Sequence, residues 1–182
     1  HAAPERDAAQ HAMLTHPRII AAVEQVFGGP ARVYYGMLAV VPAGGGRGLP
    51  WHQDNQYEVI QGRALNLFIA LCDIPPERCN LWIAPGSHRR GILPSTYEAG
   101  HHSTAEPANG TCLPALKTGD VCVFDRNTLH RSLRNETDQH RYAYASQYME
   151  EHARSEQGAL MPHRPLAADL ARRWQSAATA AA

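Results

Sequence analysis

Residues 119–132 read GDVCVFDRNTLHRS, and this stretch indicates the type of fold. A largely apolar run, Asp120–Asp125, is followed by a short polar turn and by a second run, Thr128–Leu133, which carries His130. Two short runs with so brief a connection are typical of neighbouring antiparallel strands.

Similar runs continue on both sides of this stretch, separated by turn-forming segments such as the PAGGG at 42–46. The other β-type runs are Arg32–Val41, Trp51–Ile60, Ala64–Cys72, Leu81–Ala84, Cys112–Leu116 and Tyr142–Tyr148. Many short strands with frequent turns and little helix between them predict an all-β core, either an antiparallel barrel or a sandwich.

Helical spacing is confined to the two ends of the chain. Apolar residues recur at helical intervals from Arg6 to Phe27, where Pro17 predicts a break between two helices and Gly28 an end. The Ala-rich tail, 165–182, predicts a helix or a frayed end. The polar stretch 91–111 has no period, which predicts a lid or a disordered insertion.

Length and composition restrict the class of protein. The 182 residues suit one domain, and we interpret 1–182 as a single domain that lacks N-terminal elements, because the sequence opens at His1 in mid-pattern. Basic and acidic residues number 17 each, so no charge excess points to nucleic acid or to an anionic membrane. No apolar run approaches the ~20 residues of a membrane span.

Four cysteines are present, and none of them forms a CxxC pair. Cys72 and Cys122 lie inside apolar runs, which favours buried free thiols over a zinc site or a disulfide framework. Free thiols are typical of a reducing compartment, so we expect an intracellular, cytoplasmic protein.

The segment Trp51-His52-Gln53-Asp54 is the most informative for chemistry. Residues two apart on a strand share a face, so His52 and Asp54 are predicted to offer an imidazole and a carboxylate to one cation. With eleven histidines in the chain, such a pair also arises by chance. His130 is the best candidate for a third ligand. Two histidines and one carboxylate are the facial triad of non-haem iron oxygenases.

Four blocks in order, between Trp51 and Arg141, resemble the phytanoyl-CoA dioxygenase family of Fe(II)/2-oxoglutarate oxygenases. They are WHQD at 51–54, the apolar run ALNLFIALCD at 64–73, NLWIAPGSHR at 80–89, and LHRS at 129–132 with Asn135 and Arg141 downstream. The third block departs from the family pattern, because Leu81 and Trp82 follow Asn80 where a small pair is usual. The family's N-terminal elements are also largely absent.

The resemblance implies a double-stranded β-helix, or jelly roll, with flanking helices. It also implies iron held by His52, Asp54 and His130, 2-oxoglutarate as co-substrate, and dioxygen. By the same resemblance Arg141 pairs with the distal carboxylate of 2-oxoglutarate. A planar guanidinium suits that task, because it grips a carboxylate through two hydrogen bonds. Ser132 is either a second donor to this carboxylate or a core serine, and Phe68 either walls the co-substrate site or is ordinary core.

The expected activity is hydroxylation, or another oxidation, of an unactivated C–H bond of a small molecule, with release of succinate and CO2. Candidate substrates are a specialised metabolite, an amino acid or a lipid-derived acid. Gln56 shares the predicted ligand face and is the first candidate for a substrate contact, with Trp51 as the second. His88, Arg89 and Arg90 are interpreted as a strand-end cap.

Three other readings are compared with the oxygenase. Halogenases of this type replace the carboxylate ligand with a small residue, so the presence of Asp54 disfavours halogenation. A cupin-like metal-binding isomerase, oxygenase or sensor has no need of Arg141. A silent binding module has no need of an intact triad.

Overall fold

The computed structural model describes residues 8–161 and 164–180, with the main chain alone at 177–180. Three helices and eleven strands are formed. The helices are α1 (Ala8–Leu14), α2 (Pro17–Phe27) and α3 (Ala167–Ala180). The strands are β1 (Ala31–Val41), β2 (Ile60–Gln61), β3 (Ala64–Ala70), β4 (Leu81–Ile83), β5 (Thr96–Glu98), β6 (His101–Ser103), β7 (Thr111–Cys112), β8 (Val121–Asp125), β9 (His130–Ser132), β10 (Arg141–Glu150) and β11 (Arg154–Ser155).

The helices lie at the predicted places. Pro17 begins α2, where its missing N–H costs nothing, and Gly28 ends it in the left-handed region at φ 70°. The part of the predicted first helix before Ala8 and the tail at 181–182 lie outside the described residues. None of the described helices is long and apolar enough to cross a membrane.

The strands form four sheets. A four-stranded sheet has the order β1-β10-β3-β8 and a three-stranded sheet the order β7-β4-β9, while β11-β2 and β5-β6 are two-stranded. In the three-stranded sheet β4 pairs antiparallel with both neighbours, with Trp82 opposite Cys112 and opposite Arg131. The predicted all-β core with flanking helices is confirmed.

The chain divides into two compact units, of which the first comprises the chain up to Met37, Ile60–Asn66 and the chain from Ala145. Its buried apolar cluster consists of Tyr34, Ile60, Ala64, Met149, Ala153 and Met161. The ring of His11 on α1 stacks on Trp174 of α3 at 4.5 Å, and the Tyr148 hydroxyl donates to the Leu14 carbonyl at 2.8 Å.

The second unit comprises Leu38–Val59 and Leu67–Tyr144. Its main apolar cluster contains Phe68, Ala70, Ile74, Leu81, Leu116 and Ala143, and a smaller one contains Trp51, Ala84 and Leu129. Every residue that the sequence analysis selected for the site belongs to this unit. The interpretation of 1–182 as a single domain stays a prediction.

Two strand predictions are wrong. In the predicted run Cys112–Leu116 only Cys112 lies in a strand, and Leu116 makes an isolated bridge to Ile74. Between Trp51 and Ile60 the chain makes only a single bridge at His52 and then a 3₁₀ turn, Asp54–Gln56. The cause is side-chain capping, because the Gln53 side chain accepts from the Gln56 main chain and the Gln56 side chain accepts from the Gln53 main chain. Such local bonds compete with a sheet ladder.

The stretch 91–111 is more regular than its composition predicts. It contains the hairpin β5–β6, in which Tyr97 lies opposite His102. Ala99 and Gly100 form its turn at φ 50° and 85°. A two-residue hairpin turn of type I′ requires positive φ at both central residues. Alanine rarely adopts positive φ, so the sequence did not indicate this turn.

Candidate metal centre and co-substrate pocket

Three side chains of the second unit converge on one point. The Nε2 atoms of His52 and His130 lie 3.5 and 3.8 Å from the same oxygen of Asp54. One ligand atom from each residue lies within 4.8 Å of the other two, the only such group of three in the described part of the chain. His52 and His130 are buried, and Asp54 is partly exposed.

The main chain sets the spacing of the two histidines. His52 N donates to His130 O at 3.0 Å, and His130 N donates to His52 O at 2.9 Å. The two residues therefore face each other across an antiparallel bridge, and their rings lie 4.2 Å apart between centroids. Gln53 is extended at φ −118° and ψ 137°, so Asp54 projects on the same side as His52 even though no strand continues.

Both imidazoles are oriented by main-chain carbonyls. His52 Nδ1 lies 2.8 Å from Pro50 O, and His130 Nδ1 lies 2.9 Å from Thr128 O. A carbonyl oxygen only accepts, so each Nδ1 carries the proton and each Nε2 is left with a lone pair. Second bonds of this kind are usual for metal-binding histidines. Two imidazole lone pairs and a carboxylate fit a divalent transition metal.

The protonation of the ligands suits a cation. Burial is the main cause that lowers the pKa of His130, to about 4, which keeps its ring neutral at pH 7. Burial alone raises the pKa of Asp54, but its interactions with His52, His130 and Arg126 together outweigh this effect. The net pKa of Asp54 lies well below its usual value, so this residue is a carboxylate.

Two buried residues that the sequence analysis missed hold the turn that carries Asp54. The Arg126 guanidinium is 3% exposed; its Nε donates to Asn55 Oδ1 at 3.1 Å, and Nη2 donates to the carbonyls of Asp54 and Glu58 at 3.1 and 3.2 Å. Arg126 is about seventy positions from these partners in sequence, so no local pattern marks it.

A second buried arginine, Arg141, lies at the start of β10 and is 5% exposed. Its Nη1 is 3.5 Å from Ala39 O, its Nη2 is 3.8 Å from the Cys79 sulfur, and its Nε has no partner. Within the described residues no carboxylate forms an ion pair with Arg141. A buried cation of this kind is costly unless an anion joins it.

The two residues predicted to accompany Arg141 are placed as follows. The Phe68 ring lies beneath the guanidinium, with 5.4 Å between the guanidinium carbon and the ring centroid. The Ser132 hydroxyl accepts from Leu49 N at 3.1 Å, which leaves its proton free to be donated. Ser132 lies two residues beyond His130 on β9 and shares its face.

The sequence model of the family described as phytanoyl-CoA dioxygenase (PhyH) matches residues 1–143 of the chain. The chain belongs to this family. The resemblance found in the sequence is thereby confirmed, and the jelly-roll fold class is confirmed by similarity to solved structures.

Three similar proteins illustrate the range of the PhyH family. L-proline trans-4-hydroxylase of Streptomyces griseoviridis is 33% identical over 103 residues, which is 50% of this chain and 38% of that protein. The epimerase SnoN, solved with Fe3+, α-ketoglutarate and nogalamycin RO, is 22% identical with a TM-score of 0.73 over 88% of this chain and 74% of SnoN. EvdO2 of Micromonospora carbonacea var. aurantiaca, solved with 2-oxoglutarate, is 25% identical, with a TM-score of 0.67 over 80% of this chain and 62% of EvdO2.

The chain spans half or less of the length of the curated relatives it matches. Within the span it shares with the PhyH family, the Pro-Gly-Ser-His turn supports the metal site. Ser87 accepts from Leu129 N at 2.8 Å and donates to Ala84 O at 2.7 Å, next to the His130 strand. His88, Arg89 and Arg90 complete a 3₁₀ turn, Ser87–Arg90, rather than a strand-end cap.

The two predicted substrate contacts, Gln56 and Trp51, both have partners within the protein. The amide of Gln56 is occupied, because its oxygen accepts from Gln53 N and its nitrogen donates to Leu93 O and to Thr104 Oγ1. Trp51 is 4% exposed and packs in the apolar cluster with Ala84 and Leu129, with Arg131 stacked on its ring at 4.8 Å. Trp51 is thus buried, whereas Gln56 is partly exposed with its amide already bonded, and a substrate contact at either residue stays a prediction.

A row of aromatic rings occupies the place that Gln56 was expected to take. Tyr57 contacts the His52 ring edge-on at 5.8 Å, His102 contacts Tyr57 at 4.9 Å, and Tyr97 contacts His102 at 4.8 Å. Tyr57 and Tyr97 are 42% and 62% exposed. No sequence pattern marked Tyr57, because the predicted strand placed its side chain on the face opposite to the ligands.

Proposed function

We propose that this chain is the catalytic core of an Fe(II)/2-oxoglutarate-dependent oxygenase that oxidises a small molecule. The observation that carries the proposal is a pairing within one unit. A His-carboxylate-His group that suits a divalent metal occurs together with a buried arginine that has no carboxylate partner among the described residues. The first feature supports a metal, and the second supports a dicarboxylate co-substrate.

His52, Asp54 and His130 would hold the iron through two Nε2 atoms and one carboxylate oxygen. Three protein ligands leave room for a bidentate keto acid and for dioxygen. When bound, iron with 2-oxoglutarate supplies the oxidising power, and succinate and CO2 are released. The main-chain bonds to both Nδ1 atoms orient the imidazoles before any metal arrives, which reduces the reorganisation that binding requires.

Arg141 would bind the distal carboxylate of 2-oxoglutarate. A bidentate pair would satisfy the guanidinium, whose present acceptors are a carbonyl at 3.5 Å and a thiol at 3.8 Å. The Ser132 hydroxyl would donate to the same carboxylate, and the Phe68 ring would wall the pocket. This pocket also separates the oxygenase from a cupin-like isomerase or sensor, which needs no buried arginine.

The substrate would approach the iron along the exposed rings of Tyr57, His102 and Tyr97. Hydroxylation of an unactivated C–H bond is the proposed reaction, and the name of the relative L-proline trans-4-hydroxylase supports it. The balance of 17 basic and 17 acidic residues gives no support for a nucleic-acid or membrane-bound substrate. Asp54 disfavours halogenation, because its carboxylate takes the place that a halide would need.

Anaerobic reconstitution with Fe(II) and 2-oxoglutarate tests the proposal. The wild-type protein should develop the visible metal-to-ligand charge-transfer band of the iron–keto-acid complex, and His130→Ala should not. His16→Ala, which changes an exposed histidine of the other unit, is the matched control and should keep the band. A folded, iron-loaded wild-type protein without the band would contradict the proposal. Succinate release would then be used to screen substrates.

A further inference from the structure

The turn that carries Asp54 has a glutamine on each side, and both amides reach the stretch 91–104, which holds the hairpin β5–β6. Gln53 is fully buried. Its Oε1 accepts from Leu93 N at 2.7 Å, and its Nε2 donates to Gly91 O at 2.9 Å and to Asn127 O at 2.5 Å. Gln53, the residue before the ligand Asp54, therefore binds the segment 91–93 that leads into the hairpin.

Gln56 binds the chain on both sides of the hairpin. Its Nε2 donates to Leu93 O at 3.0 Å, on the way into the hairpin, and to Thr104 Oγ1 at 2.9 Å, on the way out. Its Oε1 accepts from Gln53 N at 2.9 Å, which closes the turn around Asp54. The two glutamines thus join the turn that carries Asp54 to the insertion.

The other side of the turn is fixed independently. Arg126 donates to the carbonyls of Asp54 and Glu58 and to the side chain of Asn55, and Arg126 and Asn55 are each 3% exposed. Displacement of Leu93 and Thr104 would therefore remove the bonds between the turn and the hairpin segments, and leave the bonds from Arg126 intact. The expected result is a shifted Asp54 rather than an unfolded turn.

We propose that Gln53 and Gln56 are positioning residues for Asp54, and that through them the ordering of 91–104 and metal binding at His52, Asp54 and His130 stabilise each other. The proposal rests on the proposed metal centre and adds a regulation to it. Coupling of two sites is reciprocal, so whatever orders the hairpin must also tighten the metal. Loss of a partner outside the ligand sphere typically weakens metal binding by about ten- to a hundredfold.

The coupling has a consequence for substrate binding. Tyr57 Oη accepts from His102 N at 3.2 Å, so the exposed rings beside the metal are also part of the hairpin interface. A substrate that contacts His102 and Tyr97 would order the hairpin, and through Gln56 it would hold Asp54 in place. Metal retention would then be greatest in the substrate complex.

The test compares wild-type protein with Gln56→Met, which keeps the side-chain volume and removes all three amide bonds. Co(II) is the probe, titrated by its visible absorption, and hydrogen–deuterium exchange is followed in peptides that cover 91–104 with and without Co(II). Wild-type protein should show slower exchange in these peptides when Co(II) is bound. In Gln56→Met this protection should be lost, and the Kd for Co(II) should rise about tenfold.

Two further variants complete the design. Thr104→Val removes one acceptor on the hairpin side without changing the turn, so a smaller shift in the same direction is expected even if Gln56→Met folds poorly. Asn109→Ala is the matched control. It removes the bond to Pro85 O at 2.9 Å, which secures the insertion away from Asp54, and it should leave the Kd for Co(II) unchanged.

The outcomes are distinct. Equal Kd values and equal metal-dependent protection in wild-type, Gln56→Met and Thr104→Val proteins would overturn the coupling and leave the metal centre standing. A rise in Kd for Asn109→Ala as large as that for Gln56→Met would also overturn it, because the effect would then reflect general loosening. A wild-type protein that binds no Co(II) would overturn the metal centre and the coupling together.

Discussion

Arg126 and Arg141 are both buried in the same unit, at 3% and 5% exposure, yet their surroundings differ. Arg126 donates to three protein oxygens at 3.1–3.2 Å. Arg141 faces a thiol, a distant carbonyl and an aromatic ring, and its Nε has no partner. A cation that the protein satisfies by itself stabilises structure, whereas one that it leaves unsatisfied is prepared for an anionic ligand.

The largest expected effect concerns Arg141 and its ligand. Arg141→Met should weaken 2-oxoglutarate binding at least 100-fold, because loss of one partner of a buried, hydrogen-bonded charge pair costs roughly 3–5 kcal/mol. The measurement is the 2-oxoglutarate concentration that half-saturates the charge-transfer band at fixed Fe(II). Arg89→Met, at an exposed arginine, is the control. Unchanged affinity in Arg141→Met would remove the distinction between the two arginines.

The same substitution at Arg126 should lower the free energy of unfolding. Arg126→Met removes three hydrogen bonds, to Asn55 Oδ1 and to the carbonyls of Asp54 and Glu58, so the free energy of unfolding should fall by about 3 kcal/mol. Urea denaturation of the metal-free protein measures it, again with Arg89→Met as control. A loss well under 1 kcal/mol would mean that water replaces the guanidinium and that the bonds to Asp54 and Glu58 add little.

The pH dependence of stability sharpens the comparison at His130, whose pKa Arg126 also helps to lower. Its pKa is about 4 in the folded state and about 6.5 when unfolded, so only the unfolded state gains a proton as the pH falls between these values. The metal-free protein should therefore lose up to about 3 kcal/mol of unfolding free energy from pH 6.5 to 4. In His130→Gln the decrease in unfolding free energy from pH 6.5 to 4 should be smaller by up to about 3 kcal/mol. Parallel pH profiles for the two proteins would contradict the low pKa.

The smallest effect is also the most discriminating one. In metal-free protein without 2-oxoglutarate, Arg141→Met should leave the unfolding free energy unchanged or raise it by about 1 kcal/mol, because the substitution removes a buried charge that lacks an anion. Thermal and urea unfolding of both variants should show a lower free energy of unfolding for Arg126→Met, and an unchanged or higher one for Arg141→Met. A loss of about 3 kcal/mol in Arg141→Met would instead mean that Arg141 is as well satisfied as Arg126.

The sequence was sufficient for features that follow from local spacing. The alternation of side chains along an extended chain placed His52 and Asp54 on one side, and this holds because Gln53 is extended, although no strand continues beyond His52. The turn signals located most strands within a few residues. They failed between Trp51 and Ile60, between Cys112 and Leu116, and in the stretch 91–111, where the hairpin β5–β6 was not predicted. Pro17 and Gly28 marked the ends of α2.

The rest depended on contacts between distant segments. No local pattern links Arg126 to Asn55, Gln53 to Leu93, or Arg141 to Cys79. The bonds of Gln56 could not be predicted for the same reason, because Leu93 and Thr104 approach it only in the folded chain. Long-range side-chain bonds of this kind decide which polar residues are free for a substrate and which are structural.

The two main-chain hydrogen bonds between His52 and His130 determine which substitutions leave the spacing of the metal ligands unchanged during evolution. The distance between the two imidazoles is set by N–H and C=O groups that every amino acid except proline carries. Substitutions at Tyr57, Tyr97 or His102 would leave that distance unaltered. Libraries randomised at the tip of the hairpin, 96–103, should therefore yield altered substrate preferences while the spacing of the two imidazoles is kept.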